Sequence, residues 1–177
     1  RRFPAGRSAG ALPSSAARPS IALDRCRNGL SSRGLLLVGL RGVGKTVLLT
    51  KISQDTEARG FAVVSVEAPE KRSLPALLIP ALRSALLKLD TIAAAGKLGK
   101  RALRVLGGFV GAMKVKYADI EFGVDLGKEP GVADSGDLEH DLSALFVEVA
   151  AAAKERKTAL ALFIDEIQYV EEEQFAA

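Results

Sequence analysis

Residues 39–46 read Gly39-Leu40-Arg41-Gly42-Val43-Gly44-Lys45-Thr46 and fit the pattern G-x-x-x-x-G-K-[ST] at every constrained position. Glycines let the backbone curl so that successive N–H groups point inward at an anion, and a helix beginning near Lys45 adds its positive N-terminal end. The Lys45 ammonium can reach the β- and γ-phosphates of a nucleotide, and the Thr46 hydroxyl is a suitable Mg²⁺ ligand. The stretch therefore predicts a nucleotide-phosphate site formed by all of these residues.

The residues on either side of this loop predict the strand and helix that such a site needs. Gly34–Val38 (GLLLV) is short and wholly apolar, which is typical of a strand buried on both faces. A helix is predicted over Lys45–Arg59, with Val47, Leu48 and Ile52 able to face the sheet. Phe61–Val66 (FAVVSV) predicts a second buried strand. Strand, helix and strand at this spacing form a βαβ unit, so the two strands should be a parallel pair.

The rest of the chain is predicted to contain further helices and strands. Helical spacing of apolar residues predicts helices over Ser73–Leu89, residues 97–113 and Asp137–Lys157, with Ser73 as an N-cap and a kink at Pro80. The remaining predictions are a short helix at Ile21–Asn28, a half-exposed strand at Asp119–Leu126 that could pair with Lys114–Tyr117 in a hairpin, a loop at 127–136 and a third buried strand at Ala159–Ile164.

An acidic pair follows the third predicted strand, in the sequence Leu160–Glu166 (LALFIDE). A buried strand delivers such carboxylates to the edge of the sheet where open α/β proteins bind their ligands. Asp165 is predicted to hold Mg²⁺, and Glu166 to polarise an attacking water as general base. The alternative is that both acids only cap the next helix, but the phosphate loop upstream favours the functional interpretation.

The two motifs, GLRGVGKT and ALFIDEIQY, resemble those of AAA+ ATPases. More narrowly, they resemble the origin-recognition-like and related signal-transduction ATPases of bacteria and archaea, over about residues 21–175. The resemblance implies an α/β fold, a three-layer P-loop NTPase domain with a parallel sheet. It also implies ATP and Mg²⁺ as cofactors, with hydrolysis driving conformational change. Sequence motifs of GTPases (N-K-x-D) and ABC transporters (L-S-G-G-Q) are absent.

Two features upstream of the acidic pair depart from the family pattern. The family usually has a Gly-Arg-acid box that helps to seat the adenine, but no acid follows Gly6-Arg7. Lys45 and Asp165 are 120 residues apart, which is long for the family. We therefore expect an insertion around residues 91–134.

A third departure is at the C-terminus, where only eleven residues follow Glu166. The family's sensor residues, arginine finger and helical lid lie further on, so the chain is expected to be truncated and to bind nucleotide better than it hydrolyses it. The resemblance also puts a later strand between the phosphate-loop strand and the acidic-pair strand. Without it, the sheet should have an empty position and two unpaired apolar edges, or close directly on itself. Such a chain is expected to be poorly stable or prone to aggregate.

Charge separates an N-terminal tail from the domain. Residues 1–34 contain seven arginines and one acid, whereas the remainder contains eighteen basic and twenty acidic residues. Residues 1–20 are predicted to be a flexible basic tail, with a transit peptide as the alternative, and residues 21–177 to be the incomplete ATPase domain. This placement of charge gives little support for DNA binding. A single cysteine, Cys26, excludes an intrachain disulfide and suits a cytoplasmic protein, and no apolar run is long enough to span a membrane.

Three other features allow more than one interpretation. Residues 97–116 carry six basic residues and no acid, so they could lie on an anionic membrane or on DNA, or form a solvated face, or pair with the acid-rich Asp119–Glu148. His140 is predicted to be a solvated surface residue. Cys26 has no histidine near it in sequence and is not predicted to be a nucleophile.

The leading prediction is ATP binding with Mg²⁺-dependent hydrolysis, in which Lys45 and Glu166 are the catalytic residues. The alternative is a nucleotide-dependent switch or adaptor that binds ATP with negligible turnover and recruits a partner such as DNA. A third interpretation is a non-functional fragment. The expected partners are ATP and either a homo-oligomer or downstream domains of a longer protein.

Overall fold

A computed structural model gives the fold for residues 17–28, 32–70, 72–91, 96–120 and 126–175. The chain divides into two compact units, Arg1–Val38 and Gly39–Ala177. In chain order, the elements are α1 (Ala17–Arg27), α2 (Lys45–Ala58), β1 (Ala62–Glu67), α3 (Leu74–Thr91), α4 (Lys97–Lys116), α5 (Leu138–Glu155), β2 (Leu160–Asp165), a 3₁₀ turn (Ile167–Tyr169) and α6 (Glu172–Phe175).

The first unit contains α1 and the residues that lead to the phosphate-binding loop. α1 begins at Ala17, whereas the sequence predicts a tail over 1–20 and a helix from Ile21. Residues 1–16 of that tail lie outside the described part of the chain. At the end of α1, the backbone and side-chain amides of Asn28 donate to one carbonyl of the preceding turn, at 3.2 and 2.8 Å. These bonds satisfy a helix-end carbonyl and help to end the helix.

The apolar run Gly34–Val38 does not form the buried strand that its composition predicts. None of residues 32–40 lies in a strand, and the side chains of Leu36 and Val38 are 63% and 85% exposed. A strand is held by hydrogen bonds to a neighbour, because its residues cannot satisfy their own backbone groups. An apolar composition is therefore not enough to make this run a strand, because no described strand pairs with the run. The predicted pairing of this run with Phe61–Val66 is wrong.

The sheet in the second unit consists of β1 and β2, which are parallel. Each strand is displaced by one residue from its prediction at Phe61–Val66 or Ala159–Ile164. The register pairs Glu67 with Asp165, so the carboxyl ends of the two strands are level. Within the described ranges, no strand pairs with the other edge of β2.

The two faces of the sheet contact different helices. Even-numbered residues of both strands share one face, because the register pairs even with even. On this face Val64 is buried, and Val66 and Leu162 pack against a cluster formed mainly by α3, α4 and α5. On the other face, the Ser65 hydroxyl lies 2.9 Å from the Ser53 hydroxyl of α2. The sheet is therefore the middle of three layers, which confirms the predicted α/β fold class.

Most of the buried apolar side chains belong to α3, α4 and α5, which together we call the helical core. α4 contacts both α3 and α5, and the apolar stripes predicted for these helices meet there. The largest side chains that are almost completely buried in the helical core are Leu78, Ile79, Leu82, Leu86, Val105, Leu106, Phe109, Met113, Leu145 and Val149. The three predicted helices are thus confirmed, together with the faces that they bury.

α4 is longer than predicted and replaces one strand of the expected hairpin. Its last turn includes Lys114 and Lys116, so the predicted strand Lys114–Tyr117 is wrong. Met113 is fully buried, and its carbonyl accepts a 2.8 Å hydrogen bond from the Tyr117 amide, which anchors the last turn to the core. The described residues of the partner strand predicted at Asp119–Leu126 form no strand, and residues 121–125 lie outside the described ranges.

The starts of α3 and α5 agree with their sequence signals. Ser73 precedes α3, and its hydroxyl accepts a 3.3 Å hydrogen bond from the Ala76 amide. Asp137 is the N-cap of α5 and accepts a 2.8 Å hydrogen bond from the His140 amide. Pro80 lies within α3, which continues through it as one helix. These side-chain caps satisfy N–H groups that a helix cannot satisfy by itself.

Candidate functional site

The phosphate-binding loop, Gly39–Gly44, depends on two glycines in the left-handed region. Gly42 and Gly44 have φ angles of 82° and 88°, which side chains with a Cβ rarely adopt. A Cβ added at either position would meet no atom within 4 Å. Backbone conformation, rather than lack of space, therefore favours glycine at these two positions. Gly44 is also the N-cap of α2, so the loop passes directly into the helix.

Lys45 lies at the start of α2 and bends back over the loop. Its ammonium donates to the carbonyls of Gly39 and Leu40, at 2.9 and 2.8 Å. An ammonium has three rotatable donors on a flexible stem, so it can exchange such carbonyl contacts for phosphate oxygens. The positive charge is thus held at the loop, and no carboxylate among the described residues forms an ion pair with it.

The N-terminus of α2 is open to an anionic ligand. Gly44 offers no side-chain cap, and the first turn of the helix contains no acidic residue. The first N–H groups of a helix have no intrahelical partner, and its dipole is positive at that end. Thr46 lies in this first turn with an exposed side chain. The backbone amides, the dipole and Lys45 therefore all favour phosphate binding at one place.

The acidic pair lies at the carboxyl end of β2. Asp165 is the last strand residue, and its Oδ1 accepts a 2.9 Å hydrogen bond from the Glu166 amide. Glu166 has φ 52° and ψ 33°, a left-handed conformation that is uncommon for a residue with a side chain. The chain turns sharply here into the 3₁₀ turn. Backbone strain of this kind is frequent at functional sites, although it does not identify one alone.

Sequence reasoning missed one polar contact of this pair. The side-chain amide Nε2 of Gln168 donates to Oε2 of Glu166. The signal was an amide residue two positions after the acidic pair, but its direction depends on the left-handed turn at Glu166. Gln168 therefore joins the residues that surround the candidate catalytic carboxylate.

The topology brings the phosphate loop and the acidic pair to the same edge of the sheet. Residues 59–61 connect α2 to β1, and so short a link makes the helix run antiparallel to the strand on which it packs. α2 has 14 residues and the strand six. Their lengths of about 21 Å and about 20 Å are similar. The start of α2 is thus directed toward the carboxyl ends of the strands, where Asp165 and Glu166 lie.

The oxygen donors at this edge have the chemistry that Mg²⁺ prefers. A threonine hydroxyl and an aspartate carboxylate are hard oxygen ligands. Within the described ranges, no group of three or more His, Cys, Asp or Glu residues could hold a metal ion. Mg²⁺ at nucleotide sites does not need such a group, because it takes one or two protein ligands and completes its coordination shell with phosphate oxygens and water. Thr46 and Asp165 fit that requirement.

A comparison with protein families matches the family described as AAA ATPase domain over residues 20–177. The chain belongs to this family. Comparisons with curated proteins and with solved structures found no match. The family match confirms the resemblance of the two motifs to AAA+ ATPases and supports a P-loop, nucleotide-binding ATPase domain.

Two of the six basic residues of α4 form ion pairs with acidic residues of this AAA ATPase domain. Arg101 pairs with Glu148 at 3.0 Å, and Arg104 pairs with Glu129 at 2.8 Å. The hydrogen bond from Arg104 lowers the pKa of Glu129. These contacts support the interpretation that the basic stretch pairs with the acid-rich stretch that follows.

The apolar face of α4 is buried in the helical core, so this face is not available to a membrane. None of the described helices has the length and apolar character of a membrane span.

The start of α3 is held by two distant segments of the domain. Asp119 accepts from the backbone amide and the hydroxyl of Ser73, at 2.7 and 2.8 Å. Burial raises the pKa of Asp119, but the hydrogen bonds from Ser73 outweigh the effect of burial, so the pKa is lowered overall.

Gln174, only 4% exposed, accepts a 2.7 Å hydrogen bond from the Leu74 amide. Burial and then the charge of Glu171 raise the pKa of nearby Tyr117. The residues after the acidic pair are thereby fixed to α3.

Proposed function

We propose that this AAA ATPase domain binds ATP on residues Gly39–Thr46, hydrolyses it with Mg²⁺, and uses the reaction to change conformation. The observation that carries the proposal is the loop itself. It combines left-handed Gly42 and Gly44, a helix N-terminus with no side-chain cap, and the ammonium of Lys45 over the loop. A chain of phosphates is the anion that fits inward-pointing amides and a mobile lysine together.

The loop residues bind the phosphates mainly through their backbone. Leu40, Arg41 and Val43 contribute N–H groups, and the two left-handed glycines allow the chain to curl around the anion. Lys45 exchanges its bonds to the Gly39 and Leu40 carbonyls for oxygens of the β- and γ-phosphates. Its charge then stabilises the additional negative charge that develops as the γ-phosphoryl group is transferred.

The Thr46 hydroxyl and the Asp165 carboxylate hold the metal ion. One oxygen of Asp165, Oδ1, accepts from the Glu166 amide, which orients the carboxylate at the end of β2. When bound, Mg²⁺ supplies positive charge that offsets the charge of the phosphate oxygens. Because the Glu166 amide orients the Asp165 carboxylate, it also restricts where a bound metal ion would lie.

Glu166 acts as the general base. Its carboxylate takes a proton from the attacking water, while the water oxygen bonds to the γ-phosphorus and the bond from that phosphorus to the bridging oxygen breaks. The products are ADP and inorganic phosphate. The proposal places Glu166 beside the metal ligand Asp165, at the edge toward which α2 directs the phosphate loop.

Titration calorimetry with Mg-ATP and Mg-GTP tests the binding site. The wild type should bind Mg-ATP more tightly than Mg-GTP, and Lys45→Ala should lose the binding because the phosphates lose their cation. Lys51→Ala is the matched control, since Lys51 lies on the same helix, is exposed and pairs with Asp55 at 3.0 Å. Unchanged binding by Lys45→Ala, or no binding by a folded wild type, would contradict the proposal.

A second candidate is a nucleotide-dependent switch with negligible turnover that recruits a partner. It is favoured by apolar side chains exposed on and beside the phosphate loop: Leu40 is 80% exposed, Val43 62% and Val47 74%. Exposed apolar clusters commonly mark protein-binding surfaces. Glu166→Gln separates the two candidates. In an ATPase this change should abolish release of phosphate while ATP still binds, whereas a switch should be unaffected.

A further inference from the structure

The carboxylate of Glu166 is held by a neighbour in sequence. Gln168 donates its side-chain amide to Oε2 of Glu166 from two residues further along the chain. The side chain of glutamine is uncharged near neutral pH, and its amide offers two N–H donors and one carbonyl acceptor. One oxygen of the carboxylate is therefore occupied by a neutral donor, and Oε1 is left to accept a hydrogen bond from water.

The backbone around this contact is fixed on both sides. The left-handed conformation of Glu166 turns the chain, and the Tyr169 amide donates to the Glu166 carbonyl at 3.0 Å. Further along, Val170 is buried against the helical core. Gln174 then bonds to the Leu74 amide at 2.7 Å. Because the turn is anchored to β2 before it and to the helical core after it, the backbone that carries Gln168 is fixed, and its exposed side-chain amide lies within hydrogen-bond reach of Glu166.

We infer that Gln168 is a positioning residue that sets the orientation of the Glu166 carboxylate toward the attacking water. This inference rests on the proposed function, because it assigns a role within hydrolysis. A glutamate side chain has three rotatable bonds, and an unheld carboxylate presents its oxygens in many orientations. A general base works only within hydrogen-bond reach of the proton that it takes. A bond to Oε2 reduces the rotation of the group and makes the two oxygens inequivalent.

The kinetic test compares Gln168→Leu, which removes the donor, with Gln168→Glu, which keeps the length of the side chain but replaces the amide with a carboxylate. Both changes should lower kcat for Mg-ATP by about tenfold to a hundredfold, because misplacement of a catalytic group by about 1 Å has an effect of that order. KM and the Kd for Mg-ATP should stay unchanged, since Gln168 lies outside the phosphate loop. Gln54→Leu, at an exposed glutamine of α2, is the control and should keep the wild-type kcat.

A double-variant comparison separates positioning from folding. Glu166→Gln is expected to leave at most a residual turnover, and adding Gln168→Leu in that background should not lower this residual rate further, because the group that Gln168 orients is no longer a base. If Gln168→Leu lowers kcat equally in both backgrounds, or weakens nucleotide binding as much as it lowers kcat, the positioning role is overturned. If Glu166→Gln itself leaves turnover unchanged, the proposed hydrolytic mechanism fails. If the wild type binds Mg-ATP without hydrolysing it, hydrolysis and the positioning role fail together.

A spectroscopic test reports on the contact without turnover. In ¹⁵N-labelled protein, the side-chain amide resonance of Gln168 is assigned by its loss in Gln168→Leu. Its chemical shift should change in Glu166→Gln, because a charged acceptor is replaced by a neutral amide. The side-chain resonance of Gln54 should not move. An unchanged Gln168 resonance would overturn the inference whatever the kinetics show.

Discussion

The helical core and the nucleotide-binding side of this domain differ in how they are stabilised. The nucleotide-binding side comprises residues 39–58 with β1 and β2. In the helical core, side chains such as Phe109 and Leu145 are completely buried. In α2, by contrast, Thr56 is the only buried residue, and every residue of β2 is only half-buried. Val47 is 74% exposed, so the prediction that it faces the sheet is wrong. The functional motifs therefore lie on the side with less buried apolar surface.

This difference indicates that the helices supply most of the stability and that the phosphate loop adds little. Regions with few buried apolar contacts open at lower free energy than packed cores, and binding sites are commonly found among them. A ligand that binds only the folded site stabilises it by mass action. We therefore expect nucleotide binding to stabilise mainly the loop, α2 and the sheet, and core substitutions to affect the whole unit.

The largest effect is expected from Phe109→Ala in the centre of the helical core. Removing a fully buried phenylalanine should lower the free energy of unfolding by about 3–5 kcal/mol, because it loses burial and leaves a cavity. Val47→Ala, on the exposed face of α2, should change it by less than about 0.5 kcal/mol. Urea unfolding followed by circular dichroism measures both. Similar losses for the two variants would show that stability is not concentrated in the helices.

Mg-ATP should stabilise the nucleotide-binding side selectively. At a free concentration about one hundred times Kd, the gain is about 2.7 kcal/mol. Hydrogen exchange should slow most in residues 39–58 and in β2, whose opening removes the nucleotide site, and least in helical-core amides that exchange through local openings in which the nucleotide stays bound. Lys45→Ala should abolish this protection. Uniform protection across α3, α4 and α5 would contradict the proposed division.

A glycine inside the helical core gives a smaller, steric test. A Cβ at Gly107 would lie 2.1 Å from the carbonyl oxygen of Gly127, a backbone atom that cannot rotate away. Gly107→Ala should therefore lower the free energy of unfolding by about 1–3 kcal/mol, despite alanine's higher helix propensity. At Gly111 the nearest atoms belong to the flexible side chain of Lys128, at 3.2 Å. Gly111→Ala should be neutral or stabilising, and equal losses at both sites would disprove the steric explanation.

The features that the sequence predicted well depend on nearby residues. The phosphate-loop pattern, the caps at Ser73 and Asp137 and the apolar stripes of three helices are all encoded within a few turns of chain. Their physical causes are local hydrogen bonds and helical spacing, so one sequence is enough to find them. Gly107 disfavours a helix by its intrinsic propensity, and tertiary packing overrides that preference in α4.

The features that the sequence predicted wrongly depend on distant partners. Gly34–Val38 has the composition of a buried strand, but a strand forms only where another pairs with it. The sequence predicts that Lys114–Tyr117 forms one strand of a hairpin, whereas the burial of Met113 in the helical core extends α4 through Lys116. The contact of Gln168 with Glu166 depends on a left-handed residue that no local pattern marks. In each case the deciding interaction involves residues outside the short stretch of sequence that carries the pattern.

The smallest expected effect concerns the clamp between Asp119 and Ser73 at the start of α3. The pKa of Asp119 is lower in the folded protein than its ordinary value of 3.8, so its contribution is present above that value and is lost as pH falls through the folded pKa. Asp119→Asn should lower the free energy of unfolding at pH 7 by about 1 kcal/mol, a modest amount because the carboxylate is partly exposed. Urea unfolding of both proteins at pH 7, 5 and 3 measures the difference. It should be constant between pH 7 and 5 and smaller at pH 3. A difference that grows on acidification would mean that Asp119 is bound more tightly when protonated, and that neutral hydrogen bonds hold the start of α3.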